Sequence, residues 1–284
     1  MTFTQPLRPP KKTWPNKASL PTMYDLPSED PEEPGLPDEF HDYQPALLSE
    51  TFRLSDYTSE NIFSAADLNL YYDPDNNWYK RPDWFGVIGK PEGCDSDELR
   101  MSYVVWQEEI VPFVIVELIS PGTEDEDFGR TENKRGRPPT KWTVYERILQ
   151  IPYYVIYNRY EDSLSAFRLQ NGRYQPMAVG AERTVWFSEI SAGLGIWQGK
   201  YKRFTREWLR WYDVNGWIPT EKEASDQQIL QERVAKQQAQ QAAAEAQQAA
   251  AEAQQAVEEA QQRNERLRAK LEELGIDADQ LDLD

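Results

Sequence analysis

The chain has 284 residues, enough for one sizeable hydrophobic core with appendages or for two small domains. Its one cysteine, Cys94, excludes an internal disulfide framework and fits a reducing cytoplasm, and the lack of a long apolar run predicts neither export nor a membrane span. The formal charge is −18, and residues 41–220 alone carry 20 basic and 27 acidic side chains, a net of −7, so any face that binds phosphate must be local.

The first segment, residues 1–40, contains nine prolines and ends in the acidic run SEDPEEPGLPDEF. Few of its apolar residues recur at a helix or strand period, which predicts a disordered, proline-rich acidic arm. Two interpretations remain for this arm, a passive tether and a segment that binds a partner.

Residues 41–220 have the pattern of a globular domain. The run YQPALLSETFRLSDY at 43–57 fits either a helix or a strand. Three later runs predict strands by their β-branched and aromatic content, namely RPDWFGVIG at 81–89, MSYVVWQ at 101–107 and VPFVIVELIS at 111–120.

A helix is predicted over TKWTVYERILQ at 140–150, with Thr140 as its N-cap. Pro152 ends this helix and the strand YYVIYN follows, so the order of strand, helix and strand predicts a crossover between parallel strands. Asn171-Gly172 lies between two alternating runs and predicts a hairpin. The expected fold class is therefore α/β in the α+β sense, a mixed central sheet flanked by helices.

The run KYKRFTREWLR at 200–210 is basic and carries aromatic residues at helical spacing. We predict an amphipathic helix whose aromatic side chains dock on the core. Stacking of the aromatic side chains on nucleic-acid bases is the alternative.

Residues 221–274 repeat the unit QQAAAEA from Gln240 and again from Gln247. The period of seven places Ala, Val, Leu and one Asn on a seam, which predicts an Ala/Gln-rich coiled-coil helix that joins two chains into a homodimer. A solitary helix is the alternative. Residues 275–284 form a predicted acidic tail.

Glu117 interrupts the apolar strand VPFVIVELIS, and a buried, unpaired carboxylate costs several kcal/mol. Its partner is either an ordinary cation at a strand end or a metal ion. Asp83 opens an adjacent predicted strand, and two such carboxylates can hold Mg²⁺ through oxygen ligands. Lys141, at the start of the following helix, can then assist an attacking water molecule on a phosphodiester.

Four short motifs resemble the Uma-two family of bacterial restriction-endonuclease-like proteins: R-P-D-W at 81–84, V-E-L-I-S-P-G-T at 116–123, K-W-T-V-Y-E at 141–146 and I-P-Y-Y-V at 151–155. The resemblance covers residues 41–220 and implies the PD-(D/E)xK nuclease fold.

By that resemblance Asp83 and Glu117 are the two metal ligands, for Mg²⁺ or Mn²⁺. Ile119 stands where the standard motif has its lysine, and the family is thought to supply this lysine from the next helix, which matches Lys141. Asp127 matches a further acidic position in the loop.

The loop between Glu117 and Lys141 contains GRTENKRGRPPTK at 129–141, the most basic short stretch of the chain, and its candidate phosphate contacts are Arg130, Lys134, Arg135 and Arg137. If the protein is a nuclease, DNA is the predicted partner. His41 is the only histidine, so zinc sites and Ser-His-Asp catalysis lack the necessary residues.

Two classes of function follow from the sequence. The first is a cytoplasmic, Mg²⁺-dependent endonuclease in which Asp83, Glu117 and Lys141 carry out hydrolysis. The second is a non-catalytic assembly protein that keeps the nuclease fold and self-associates through its C-terminal helix. The acidic domain favours the second, and the presence of all three candidate catalytic residue types favours the first.

Overall fold

The computed structural model describes residues 38–89, 99–120 and 122–275. The chain divides into two units, residues 1–220 and residues 221–284. The proline-rich arm up to residue 37, Cys94 and the acidic tail from residue 276 lie outside the described residues.

The first unit is built on a six-stranded sheet with the strand order β1-β4-β6-β7-β8-β9. Its strands are β1 (Ile62–Ala66), β4 (Trp84–Ile88), β6 (Val114–Leu118), β7 (Tyr153–Asn158), β8 (Ser163–Gln170) and β9 (Arg173–Pro176). Strands β6 and β7 are parallel, and the other neighbours are antiparallel. The predicted crossover between parallel strands is therefore confirmed, and the carboxyl ends of β6 and β7 meet at one edge of the sheet.

Two smaller sheets contain the other described strands of this unit. The three-stranded sheet contains β2 (Leu70–Asp73), β3 (Trp78–Lys80) and β5 (Tyr103–Val104). The four-stranded antiparallel sheet contains β10 (Thr184–Phe187), β11 (Ala192–Tyr201), β12 (Phe204–Asp213) and β13 (Gly216–Trp217).

The helices of the first unit are mostly short. They are α1 (Glu39–Thr51), α2 (Val105–Glu108), α3 (Glu124–Asp127) and α4 (Lys141–Thr143), together with a 3₁₀ turn at Ser59–Asn61. Helix α4 continues as a π-helical segment, Val144–Ile148, and the hydroxyl of Thr140 caps it by accepting from the amide of Thr143. The predicted helix thus begins where its N-cap residue placed it.

Strand β6 is buried on both faces, which explains its continuous apolar run. Val116 belongs to one hydrophobic cluster, with α1 and the four-stranded sheet, whereas Ile115 belongs to a second cluster on the opposite face. Because successive side chains of a strand alternate between faces, Glu117 lies on the same face as Ile115. The π-helical segment contributes Val144 and Tyr145 to that second cluster.

The comparison with the predicted elements gives two corrections. MSYVVWQ forms a strand only at Tyr103–Val104 and then turns into α2. The run at 200–210 is not an amphipathic helix: it forms the end of β11 and the first seven residues of β12, which pair as a hairpin around Lys202 (φ 51°). The hairpin at Asn171-Gly172 is confirmed, and both residues have the positive φ that a tight turn requires.

The second unit is one helix, α5 (Glu221–Glu273), 53 residues long, and none of its residues is buried. Its seam residues Val257 and Leu267 are about half exposed. Within the described ranges, no helix combines the length and apolar character that crossing a membrane requires. The expected fold class, a mixed sheet flanked by helices plus a long C-terminal helix, is confirmed.

Candidate active site

Asp83 and Glu117 lie side by side because β4 and β6 pair antiparallel, with Trp84 opposite Val116. A carboxylate oxygen of Asp83 accepts a hydrogen bond from the amide of Leu118 at 2.6 Å. The amide of Asp83 in turn points to Glu117 Oε2, 3.4 Å away. The backbone of two neighbouring strands thus fixes both candidate metal ligands.

The carboxylate of Glu117 is completely buried and has two side-chain donors. Lys141 Nζ lies 3.0 Å from Glu117 Oε2, and the hydroxyl of Tyr145 donates to Oε1 at 3.0 Å. Lys141 and Tyr145 are four residues apart on one helical segment, so both side chains reach the same face of the sheet. The sequence therefore placed Lys141 correctly beside Glu117.

Asp127 brings a third carboxylate to the same lysine. Its Oδ1 lies 3.1 Å from Lys141 Nζ, while its buried Oδ2 has no hydrogen-bond partner among the described residues. The hydroxyl of Tyr154 holds the Asp127 backbone by donating to its carbonyl at 3.0 Å. Helix α3 thus places one carboxylate oxygen of Asp127 on Lys141, and the other oxygen has no hydrogen-bond partner among the described residues.

These contacts show what lies beside Glu117: a lysine shared by two carboxylates, with the carboxylate of Asp83 next to them. Burial raises the pKa of Glu117, and the charges of Asp83 and Asp127 add to this effect while Lys141 opposes it. Burial likewise raises the pKa of Asp127. Burial by itself lowers the pKa of Lys141, but the neighbouring carboxylates outweigh it and raise that pKa.

The donor set fits a hard divalent cation. When Asp83, Glu117 and Asp127 are all ionised, they exceed the one ammonium of Lys141 by two negative charges, and oxygen ligands are those that Mg²⁺ prefers. The unpartnered Oδ2 of Asp127 marks a place where a further cation would be stabilised. In the described part of the chain, no three carboxylate, histidine or cysteine side chains are already arranged around one point as a metal site. Lys141 is the cation that contacts Glu117 and Asp127.

The basic loop divides into two groups of cations. Arg130 pairs with Glu124 at 3.2 Å and Asp125 at 3.4 Å, so its charge is already compensated. Lys134, Arg135 and Arg137 are exposed. The last three are the candidate phosphate contacts that the structure leaves accessible.

Two residues of this region were missed by sequence reasoning. One is Tyr145, whose spacing of four from Lys141 was the available signal. The other is His41 on α1, whose Nδ1 lies 3.0 Å from Asp38 and whose Nε2 lies 3.3 Å from the carbonyl of Leu118 and 3.1 Å from the hydroxyl of Ser120. No local sequence pattern predicts these contacts, because His41 is separated from Leu118 by 77 positions and from Ser120 by 79 positions along the chain.

Comparison with known proteins gives a family match and similarity to solved structures, one of which is described below. Residues 14–197 match the model of the Uma2 family, whose description is "Putative restriction endonuclease". The chain is also similar to a crystal structure described as a "putative nuclease belonging to DUF820" from Anabaena variabilis, with 11% identity, a TM-score of 0.39 and coverage of 55% of this chain and 76% of that one. No curated protein matches the chain. The family match spans every segment that contributes to the site around Glu117.

Proposed function

Because the chain belongs to the Uma2 family, we propose that it is a metal-dependent endonuclease that hydrolyses phosphodiester bonds of DNA. One observation carries this proposal: Lys141 Nζ lies within about 3 Å of both Glu117 and Asp127, beside Asp83, although these residues come from four separate segments. Burying several charged side chains together costs desolvation free energy. Clusters of this kind, with shifted pKa values, are enriched at active sites.

In this proposal Asp83 and Glu117 hold Mg²⁺ or Mn²⁺, and Asp127 adds negative charge beside them. The cation supplies Lewis acidity toward the phosphodiester. Lys141 orients the attacking water and stabilises the negative charge that develops on the phosphoryl oxygens. Since Lys141 also contacts Asp127, it keeps one anchoring carboxylate when Glu117 binds a cation.

The exposed part of the basic loop provides the proposed contacts with the DNA backbone. Arg130 is already paired with two carboxylates, so Lys134, Arg135 and Arg137 remain for phosphate. Three phosphate contacts predict a slope of roughly −3 in a plot of log affinity against log salt concentration on B-DNA. A slope near zero would remove this loop from DNA binding.

The test of the proposed function compares two buried glutamates of this chain. Glu117→Gln is expected to abolish Mg²⁺-dependent or Mn²⁺-dependent cleavage of plasmid DNA, a loss of at least about a thousandfold, because it removes a charged metal ligand. Glu146→Gln is the matched control, since Glu146 is also buried and ion-paired but lies among arginines outside the site. Cleavage that is equal in wild type and Glu117→Gln would refute the assignment of Glu117.

The second candidate function is a non-catalytic assembly protein that self-associates through its C-terminal helix. The observation in its favour is α5, whose 53 residues include no buried side chain and carry an apolar heptad seam. On this proposal, removal of residues 221–284 turns a homodimer into a monomer, as sedimentation or light scattering would measure. An unchanged number of chains per particle would refute pairing through α5, whichever function the first unit has.

A further inference from the structure

The loop that precedes Lys141 carries three exposed cations close together. Lys134, Arg135 and Arg137 are exposed, and among the described residues no carboxylate pairs with any of them. The proposed function uses them only as positive charge toward phosphate. Arg135 and Arg137 flank Gly136, so the two guanidinium groups leave the chain on either side of a residue that has no side chain.

The tip of this loop is a tight turn. The amide of Arg137 donates to the carbonyl of Lys134 at 3.2 Å, which closes a four-residue turn over 134–137. Gly136 has a φ of 76°, a value that favours glycine at the third position of such a turn. No atom apart from its sequence neighbours would lie within 4 Å of a Cβ at Gly136. The tip is therefore a narrow edge, one backbone wide, with an arginine on each side.

Asn133 holds the base of the loop against the helix that carries Lys141. Its Oδ1 accepts from the amide of Thr140 at 2.7 Å, and its Nδ2 donates to the hydroxyl of Thr143 at 2.8 Å. These two bonds join the ends of the segment 133–140. The tip is thus attached to the start of α4 by side-chain hydrogen bonds as well as by the chain.

The tip also lies close to the candidate active site. Four residues of extended chain span at most about 14 Å, so the backbone of Arg137 lies within that distance of the backbone of Lys141. Pro138 and Pro139, which have fixed φ angles, restrict the backbone between them. DNA rises 3.4 Å per base pair, so this distance corresponds to about four base pairs. Base pairs that the tip contacts would therefore lie next to the bond on which Lys141 acts.

The shape and composition of the tip fit the minor groove of A·T-rich DNA. This groove is about 6 Å wide, and A·T tracts narrow it further and strengthen its negative potential, which attracts arginine. A guanidinium is also more weakly hydrated than an ammonium, so it enters a narrow groove at a lower desolvation cost. R-G-R-P at 135–138 resembles the core of the AT-hook, a minor-groove reader of A·T tracts.

We propose that the loop tip, residues 135–137, inserts into the minor groove of A·T-rich DNA and directs cleavage to such tracts. The proposal rests on the proposed function and deepens it by naming the class of substrate. Arg135 and Arg137 donate to the adenine N3 and thymine O2 acceptors on the groove floor, and Lys134 stays on a phosphate. In G·C pairs the guanine N2 amino group, itself a donor, lies on that floor and opposes the arginines.

This arrangement keeps the salt dependence that the proposed function predicts. Arginines in the minor groove lie between the two rows of phosphates, so they still displace condensed counterions. The slope against salt therefore stays at roughly −3, and it does not distinguish groove insertion from simple phosphate contact. Base composition does distinguish them, because phosphates are the same in every sequence.

The test is the affinity of the full-length chain for three DNA duplexes in chelator, which separates binding from cleavage. The duplexes share their flanks and differ only in a central tract of A·T, G·C or inosine·cytosine pairs. Inosine lacks the guanine N2 amino group, so its pair with cytosine resembles A·T in the minor groove and G·C in the major groove. Groove insertion predicts that the A·T and inosine·cytosine duplexes bind about equally, and at least about tenfold more tightly than the G·C duplex, by fluorescence anisotropy.

Arg135→Lys combined with Arg137→Lys keeps the charge of the tip and removes both guanidinium groups. This double variant is expected to lower the preference for A·T to about twofold or less, while its affinity for the G·C duplex changes by less than about threefold. Arg173→Lys is the matched control, since Arg173 is also exposed but pairs with Glu146 and lies on β9, outside the loop. It is expected to keep the full preference.

Three results would each overturn the proposal. Equal affinities for all three duplexes would leave the loop with backbone contacts only, and an inosine·cytosine duplex that binds like G·C would place the contact in the major groove. A preference for A·T that the double variant retains would assign it to other residues. Failure to bind any duplex would also overturn it. Cleavage that depends on Glu117 is measured separately, so the proposed function can stand when the A·T preference fails.

Discussion

Two buried glutamates of this protein have opposite surroundings. Glu146 accepts hydrogen bonds from Arg147 at 2.6 Å, from Arg173 at 3.2 Å and from the amide of Tyr174 at 2.9 Å. Glu117 shares a single lysine with Asp127 and has Asp83 beside it. Positive charge exceeds negative charge around Glu146, and the reverse holds around Glu117.

The difference separates a structural ion pair from a candidate active site. Around Glu146 two arginines and a backbone amide donate to the carboxylate, so its charge is compensated without a bound cation. Around Glu117 burial raises the pKa of this residue and the charges of Asp83 and Asp127 raise it further, which means that the protein alone compensates its ionised form poorly. A site of this kind gains stability when a cation binds, and that gain is measurable.

The largest effect is expected from Lys141→Met, which removes the cation that Glu117 and Asp127 share. Loss of one partner from a buried ion pair leaves uncompensated charge, so we expect the free energy of unfolding in chelator to fall by about 3 kcal/mol. Mg²⁺ should restore part of this loss, and the rise in melting temperature with Mg²⁺ should be larger than in wild type. Urea unfolding in chelator measures the free energy, and differential scanning fluorimetry measures the change in melting temperature.

Lys80→Met is the control for this experiment. Lys80 is also partly buried, but it pairs with the half-exposed Glu126 at 3.4 Å. Replacement of Lys80 should lower the free energy of unfolding only slightly, and it should leave the rise in melting temperature with Mg²⁺ as in wild type. An equal response of both variants to Mg²⁺ would contradict the view that Lys141 is the cation on which Glu117 and Asp127 depend.

A smaller effect is expected from Tyr145→Phe, which removes the hydroxyl that donates to Glu117 Oε1. Groups that orient a metal ligand typically change metal affinity by 10–100-fold, and we expect about tenfold weaker Mg²⁺ binding. Tyr174→Phe is the matched control, because the buried hydroxyl of Tyr174 donates to the carbonyl of Ile151 and not to Glu117. Equal Mg²⁺ affinities in the two variants, by calorimetry, would show that the Tyr145 hydroxyl does not position Glu117.

The part of this site that sequence reasoning placed correctly follows from local rules. An acidic residue within an apolar strand indicates that a cation lies beside it. The predicted N-cap at Thr140 puts Lys141 at the start of the next helix. The motif order then placed Asp83 beside Glu117. His41 could not be found this way, because its contacts with Leu118 and Ser120 depend on how α1 packs against the carboxyl end of β6.

The incorrect prediction at 200–210 has a physical reason as well. Trp208, Trp211 and Tyr212 fit a helical spacing, but Phe204, Arg206 and Trp208 fit the period of a strand equally well. The pairing of β12 with β11 over nine residue pairs decides between them, and such pairing is a non-local interaction. Short aromatic runs with both periods are ambiguous until their neighbours are known.

The smallest expected effect concerns His41 and the pH dependence of stability. Burial lowers the pKa of His41, but the hydrogen bond to Asp38 and the charges of Asp83 and Asp38 outweigh it and raise the pKa above its usual value. The stabilisation is therefore fully present below the pKa of an unfolded histidine, about 6.5, and is lost as the pH rises through the folded-state pKa.

Urea unfolding of wild type and His41→Gln at several pH values measures this contribution. The stability advantage of wild type over the variant should be greatest near pH 6 and should decrease toward pH 9. Asp38 does not disturb this window, because its pKa is lowered and its own contribution is lost only in acid. An advantage that grows with pH would contradict the assignment of a protonated His41.

The central claim is that negative charge exceeds positive charge around Glu117, whereas the reverse holds around Glu146. Titration calorimetry with Mg²⁺ on wild type, Glu117→Gln and Glu146→Gln tests it most directly. The account predicts one binding event in wild type and in Glu146→Gln, and its loss in Glu117→Gln. Binding that survives in Glu117→Gln, or that disappears only in Glu146→Gln, would contradict it.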